Sequence, residues 1–301
     1  MTTDTVTIGD VEITRIQEYA GPSLAVPAKL FPDSDLSYWH DNADWLSPDF
    51  FDAGTGTLRS VLHSWLIRSQ GRLILLDTGA GNDKERPYAS VYGHHRTGYL
   101  ENLAAVGVAP DDIDVVVNTH LHVDHVGWNT RLDGRSWVPT FPNAEYLMTS
   151  EDFEFWNPLL HPREPGDGNQ NVYEDSVAPV HEAGLVHLWS GRHRLDDDLV
   201  LEATPGHTPG SAILRIESRG HGALFVGDIL HSPVQVAAPD VNSCYCEDPV
   251  QARAQRRRLL GEASERNLLV FPGHFGGPSA CRVAADANAF VITDWADLAR
   301  I

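Results

Sequence analysis

Thr119-His120-Leu121-His122-Val123-Asp124-His125 follows directly on the apolar run Val115-Val116-Val117, so metal-capable side chains are packed at what reads as the end of a strand. If the backbone is still extended where this stretch begins, His120 and His122 project to the same side, because side chains alternate along a strand. Both imidazoles then reach one cation. Asp124 and His125 come after the expected turn and lie beside that ion, where they can hold a second. Three imidazoles and a carboxylate in an otherwise hydrophobic setting are costly to bury unless something binds them. The tract also lies mid-chain and does not repeat, unlike a compositional metal-binding tail.

Three further apolar runs each lead into a turn that carries a ligand type. Leu199-Val200-Leu201 precedes Thr204-Pro205-Gly206-His207-Thr208-Pro209-Gly210, Ala223-Leu224-Phe225-Val226 precedes Gly227-Asp228, and Leu268-Leu269-Val270-Phe271 precedes Pro272-Gly273-His274. Loops at strand ends on a rigid scaffold are where catalytic groups concentrate.

Taken together, His-x-His-x-Asp-His, the Gly-His-Thr-Pro-Gly turn, the Gly-Asp and the late His resemble the metallo-β-lactamase superfamily, over about residues 61–278. The resemblance implies an α/β fold, a four-layer αββα sandwich with metals at one edge of its two sheets. It implies a first metal on His120, His122 and His207, a second on Asp124, His125 and His274, and Asp228 bridging both. Two divalent ions follow, with Zn2+ foremost and Mn, Fe or Co compatible with the same His and carboxylate donors. Asp77, in Leu75-Leu76-Asp77-Thr78-Gly79, matches a position that lies beneath the ligands and orients a His. A turn residue closing its strand is the other reading of the same composition.

Zinc β-lactamases usually carry Arg where this chain has His125 and often Cys where it has Asp228. Flavin-linked di-iron relatives have Glu at the position of His122. Neither pattern is present, nor are a C-terminal helical substrate domain and the large inserted domain of the nuclease branch. The chain resembles instead the branch of N-acyl homoserine lactonases and methyl parathion hydrolase. Phe141-Pro142-Asn143-Ala144, Phe153 to Trp156, Gly227-Asp228-Ile229-Leu230 and Pro233-Val234-Gln235 carry that likeness. It departs at His231, where homoserine lactonases place a Tyr. The implied reaction is hydrolysis of a lactone or carboxylic ester by a metal-bridging hydroxide. Asp124 and His231 are the catalytic candidates, His231 because an imidazole there can protonate a leaving alkoxide or bond the carbonyl oxygen. Aryl ester or phosphotriester hydrolysis is the alternative within enzymes, and a non-catalytic ligand-binding relative the alternative outside them.

Composition sets the remaining bounds. The chain has 301 residues, 42% hydrophobic and 21% charged, enough to bury a large core. Ligands from His120 to His274 must converge on one site, so residues 1–301 are expected to form one domain. The aromatic-rich irregular segment 20–57 is a candidate lid or dimerisation element. Lys plus Arg number 22 against 42 Asp plus Glu, a net charge of −20, which repels nucleic acid and anionic lipid. Arg253, Arg256, Arg257 and Arg258 fall in an expected helix 249–264 and are read as a solvated, ion-paired face. Cys244, Cys246 and Cys281 form no disulfide framework and are read as free thiols. With no signal-like or membrane-length apolar run, a cytoplasmic location, a small-molecule substrate and a homodimer as candidate assembly are expected.

Local patterns predict strands at 11–16, 60–68, 72–76 and 145–148, the second and third paired around Ser69-Gln70-Gly71. They predict a helix from Tyr99 that stops at Gly107 and a short helix capped by Thr149 that carries Phe153 and Trp156. Residues 157–180 read as a loop or lid.

Overall fold

Apolar runs that leave neither face polar require a sheet covered on both sides, and the computed structural model, which describes residues 4–23 and 25–301, places them so. Along Thr57–Ser69, Trp65 and Ile67 face one way and Leu66 the other. The same split separates Ile74 and Leu76 from Leu75, Val115 and Val117 from Val116, Leu214 and Ile216 from Ile213, and Phe225 from Leu224 and Val226. The first member of each set meets its counterparts in a core between two sheets. The second packs outward beneath helices.

Among the described residues, the two large sheets have eight and seven strands, and Thr130–Asp133 pairs with Ser136–Pro139 as a separate two-stranded sheet. The first runs in the order Thr5–Ile8, Val11–Pro22, Thr57–Ser69, Arg72–Leu76, Val115–Val117, Glu145–Thr149, Val186–Trp189, with Phe51–Asp52 paired beside Thr57–Ser69. From Arg72–Leu76 onward its pairings are parallel. The second follows chain order from Arg192–Arg194 to Ala289–Trp295, and Leu269–Pro272 joins His221–Gly227 in parallel. Helices Tyr99–Ala105 and Ser150–Trp156 cover the outer face of the first sheet, with Leu103 and Phe153 buried against it. Helix Pro249–Arg266 covers the second through Leu259, Leu260 and Ala263. These four layers are the αββα sandwich that the resemblance implied.

The expected strands and the three expected helices are present, with Thr149 Oγ1 accepting from the Asp152 amide at 3.4 Å. Three expectations need correction. The strand before the His motif ends at Val117, so His120 and His122 lie on irregular backbone rather than on an extended continuation. Residues 157–180 are not a plain loop, because a π-helical turn Tyr173–Val177 runs into helix Ala178–Glu182 and buries Val177 and Val180. Arg256 does not belong to a solvated face: it is fully buried, whereas Arg257 pairs with Asp240 and Arg258 with Glu202 at the surface.

Within segment 20–57, Phe31, Trp39, Leu46, Phe50 and Phe51 join the helix-covered core of the second sheet. Trp45 and Leu36 remain exposed. Among the described residues, no helix is long and apolar enough to cross a membrane.

Candidate metal centre

Parallel strands end together, and the loops leaving those ends bring the chemistry to one edge. Asp77 follows Arg72–Leu76, the His motif follows Val115–Val117, His207 follows Leu199–Ala203, Asp228 follows His221–Gly227 and His274 follows Leu269–Pro272. Backbone bonds from the Asp77 amide to Val117 O and from the Thr78 amide to His125 O, each 2.8 Å, clamp the first two loops together. The His207 turn depends on Gly206, whose φ is +144° and where a Cβ would stand 2.3 Å from the Ala252 nitrogen. No larger residue fits there.

All seven predicted ligands meet. His120, His122, His207 and Asp228 form one set, and Asp124, His125 and His274 a second, with the donor atoms of each set within 4.8 Å of one another. His122 Nδ1 lies 3.1 Å from His120 Nε2 and 2.9 Å from His207 Nε2. Asp228 spans both sets. Its Oδ2 is 3.3 Å from His207 Nε2 and 3.7 Å from His120 Nε2, while its Oδ1 is 3.2 Å from His274 Nε2 and 3.3 Å from His125 Nε2.

The outward-facing nitrogens of His120, His125 and His274 are held by oxygen atoms of the protein. Asp77 Oδ2 is 2.9 Å from His125 Nδ1 and accepts from Thr119 Oγ1 at 2.8 Å, while Oδ1 accepts from the Thr119 amide at 2.7 Å. Thr119 Oγ1 is 3.1 Å from His120 Nδ1, and His274 Nδ1 donates to Val61 O at 3.1 Å. Asp77 thus takes both of its expected places: it closes a turn in the left-handed region, at φ +55°, and it holds a His from below. Fixing one ring nitrogen in this way fixes the tautomer and aims the other.

The donor set fits two divalent cations. Ring nitrogens and carboxylate oxygens are the donors that Zn2+ and its first-row neighbours take. Asp228 Oδ1 is buried with no aligned hydrogen-bond donor, which marks a group shaped for something other than a protein partner. The charge balance agrees. Burial opposes ionisation of Asp228, yet His274, His125, His231 and His120 hold its carboxyl well below the usual carboxylate range. Burial also depresses His207, but Asp228 and Cys246 outweigh it and bring the imidazole to about 9. His125 rises for the same reason, against burial, under Asp228, Asp77 and Asp124. Burial wins at His120 and His122, whose affinity for protons falls well below that of free imidazole. The cluster therefore gathers positive charge around one buried carboxylate.

His231 sits where the sequence placed it, beside Asp228, with Nε2 3.1 Å from Oδ2. Burial pushes its imidazole down to about 4, so it is neutral at neutral pH. Its amide donates to Gln235 Oε1 at 2.7 Å, and its ring stands edge-on to Phe31 from segment 20–57.

Further residues border the site, and of these Asp152 and Tyr92 carry no sequence signal of their own. Asp152 is fully buried and accepts from the Leu121 amide at 3.0 Å, Thr208 Oγ1 at 2.9 Å and the Gly210 amide at 2.6 Å, which ties the His motif to the His207 turn. Burial, together with the nearby Asp124 carboxylate, raises the Tyr92 phenol well above the usual range. Trp156 packs edge-on to His122, with ring centroids 5.2 Å apart. A cavity of about 220 Å³ lies beyond Trp156, lined also by Arg163, Asn169 and Tyr173.

Residues 60–274 match the family model of the metallo-beta-lactamase superfamily. The mouse protein named metallo-beta-lactamase domain-containing protein 1 is 32% identical over 207 residues, 68% of this chain and 60% of that protein. N-acyl homoserine lactonase of Bacillus thuringiensis is 25% identical over 182 residues, 60% of this chain and 64% of the lactonase. The matched region thus spans less than two thirds of these relatives' own length. Among solved structures, hydrolase AbOPH of the beta lactamase superfamily superposes with a TM-score of 0.79 and 25% identity over 97% of both chains. With its family model matched across the ligand-bearing strands and loops, the chain belongs to the metallo-beta-lactamase superfamily.

Proposed function

We propose that this protein is a dinuclear-metal hydrolase that opens a lactone or cleaves a carboxylic ester. The observation that carries the proposal is the division of Asp228 between two donor sets, one oxygen to each. When bound, a pair of divalent ions, zinc foremost, supplies Lewis acidity and lowers the pKa of a shared water toward neutrality. His120, His122 and His207 would hold one ion, Asp124, His125 and His274 the other, and Asp228 both.

The chain's own groups account for the rest of the reaction. Thr119, Asp77 and Val61 O keep the His donors aimed inward. Asp124 would serve as the carboxylate donor of the second set, beside the Tyr92 phenol. His231, held neutral by burial, serves as a hydrogen-bond donor to the substrate's carbonyl or leaving oxygen rather than as a charged acid. The Trp156 ring supplies an apolar surface beside His122 for a small organic substituent, and the cavity behind it is lined mainly by polar and charged side chains, among them Arg163, Asp167 and Asn169. The lactonase and hydrolase names of the relatives support this substrate class.

The test is a pH-stat screen of lactones, carboxylic esters, aryl esters and phosphotriesters on metal-loaded protein. Proton release from lactones or alkyl esters is expected, and release from phosphotriesters alone moves the assignment to that class. No release from any of them, with two metals bound, defeats the hydrolase reading. His231→Phe should lower kcat by about 10²-fold or more, the usual worth of a positioned proton-handling group, with metal content unchanged. Unchanged turnover removes His231 from the mechanism. Asp77→Ala should weaken one of the two metal equivalents by about 10- to 100-fold. Chelator competition reads it directly.

A further inference from the structure

The outward nitrogens of His120, His125 and His274 meet oxygen atoms of Thr119, Asp77 and Val61. His207 differs. Among the described residues, the partner of its Nδ1 is a sulfur, Cys246 Sγ at 3.8 Å, and Cys246 is itself fixed by Ser243 Oγ at 3.6 Å. The contact is built into the backbone. The Glu247 amide donates to His207 O at 2.9 Å and the Asp248 amide to Gly206 O at 2.8 Å, so the segment bearing Cys246 is bonded to the very turn that carries the ligand. Gly206, pressed against Ala252, leaves that turn no room to slide.

We propose that Cys246 is a positioning residue for the first metal set: its sulfur accepts the Nδ1 hydrogen of His207, keeps Nε2 free as the donor and aims it between His122 and Asp228. The inference rests on the metal-centre reading above. A sulfur acceptor is weaker and longer-reaching than the oxygens that serve His120, His125 and His274, so His207 is the ligand whose aim rests on a soft contact, and its loss falls on the first set. Cys244, two residues away and exposed, makes no such contact, and the reading of all three cysteines as unassigned free thiols therefore changes for Cys246 alone.

The experiment titrates wild type, Cys246→Ala and Cys246→Asp with Co2+ against a chelator, following cobalt absorption and bound equivalents, with circular dichroism as the check of fold. Cys246→Ala should weaken one equivalent by about 10- to 100-fold and alter its cobalt spectrum, leaving the other equivalent as in wild type. An aspartate carries its oxygen farther from Cβ than cysteine carries its sulfur, so Cys246→Asp should reach Nδ1 and restore the affinity. Cys244→Ala should match wild type in both equivalents. The proposal is overturned if Cys246→Ala binds both equivalents as wild type does, if both weaken alike, or if the aspartate fails to rescue. If wild type itself takes up no cobalt, the metal-centre reading falls, and this inference with it. Two wild-type equivalents with an indifferent Cys246 sink only the inference.

Discussion

Asp228→Ala is expected to leave the protein with at most one weakly held metal equivalent and to lower kcat/KM by about 10³-fold or more, since the lost Lewis-acid stabilisation amounts to several kcal/mol. Among the described residues, Asp228 is the side chain whose two oxygens approach both donor sets, and it is buried where solvent cannot replace it. Its removal also changes the groups around it. Asp228 raises the proton affinity of His125, His207 and His274 against burial, so in the metal-free variant their imidazoles should titrate at lower pH than in the metal-free wild type. Asp228→Asn separates charge from shape. It fills the same space with a neutral group, should fold as wild type does, and should lose metal and activity nearly as completely as alanine. Metal analysis after dialysis, with kcat/KM on the best ester or lactone, makes the comparison. Two tightly bound equivalents and full turnover in either variant would remove Asp228 from the centre.

The ligand set was legible before the fold was, because its chemistry is concentrated in short motifs that follow apolar runs: His120 to His125 and Gly227-Asp228 carry their own context. The strands were legible for the same reason. A sheet buried on both faces reads as uninterrupted Val, Leu and Ile, as in Val115–Val117 and Leu269–Pro272. What escaped was set by contacts distant in sequence. Asp152 meets Thr208 across 56 positions, and Cys246 meets His207 across 39, with no local pattern to announce either. Strand Val115–Val117 is short because the Thr119 amide leaves the ladder for the Asp77 carboxylate, a bond that no period of apolar residues encodes. The helical turns at 173–182 were hidden by the Pro-, Asn- and Asp-rich stretch that precedes them. Arg256 was misread because three neighbouring arginines are at least partly exposed, and composition cannot say which of four faces inward.

That fourth arginine carries the second large effect, on stability. Arg256 is fully buried with no carboxylate against it; Nε donates to Ile229 O at 2.7 Å, and Nη1 to Pro239 O at 2.8 Å and Val241 O at 2.9 Å. Burial lowers its guanidinium to about 10, which leaves it charged at neutral pH and bound to carbonyl dipoles alone. Methionine fills much of the volume but donates nothing, so buried carbonyls lose their partners at about 1–3 kcal/mol each. Release of the guanidinium from a dehydrated site offsets part of that. The net expectation is a loss of about 3–5 kcal/mol, or roughly 5–8 °C in Tm for a chain of this size. Arg258→Ala is the control, because its pair with Glu202 at 2.8 Å is substantially solvent-exposed and should be worth about 1 kcal/mol at most. Activity should fall in Arg256→Met below the melting temperature as well, since Ile229, whose carbonyl Arg256 holds, is the next residue after Asp228. If Arg256→Met melted with the Arg258→Ala control, the guanidinium would not be the post on which the Asp228 loop is hung.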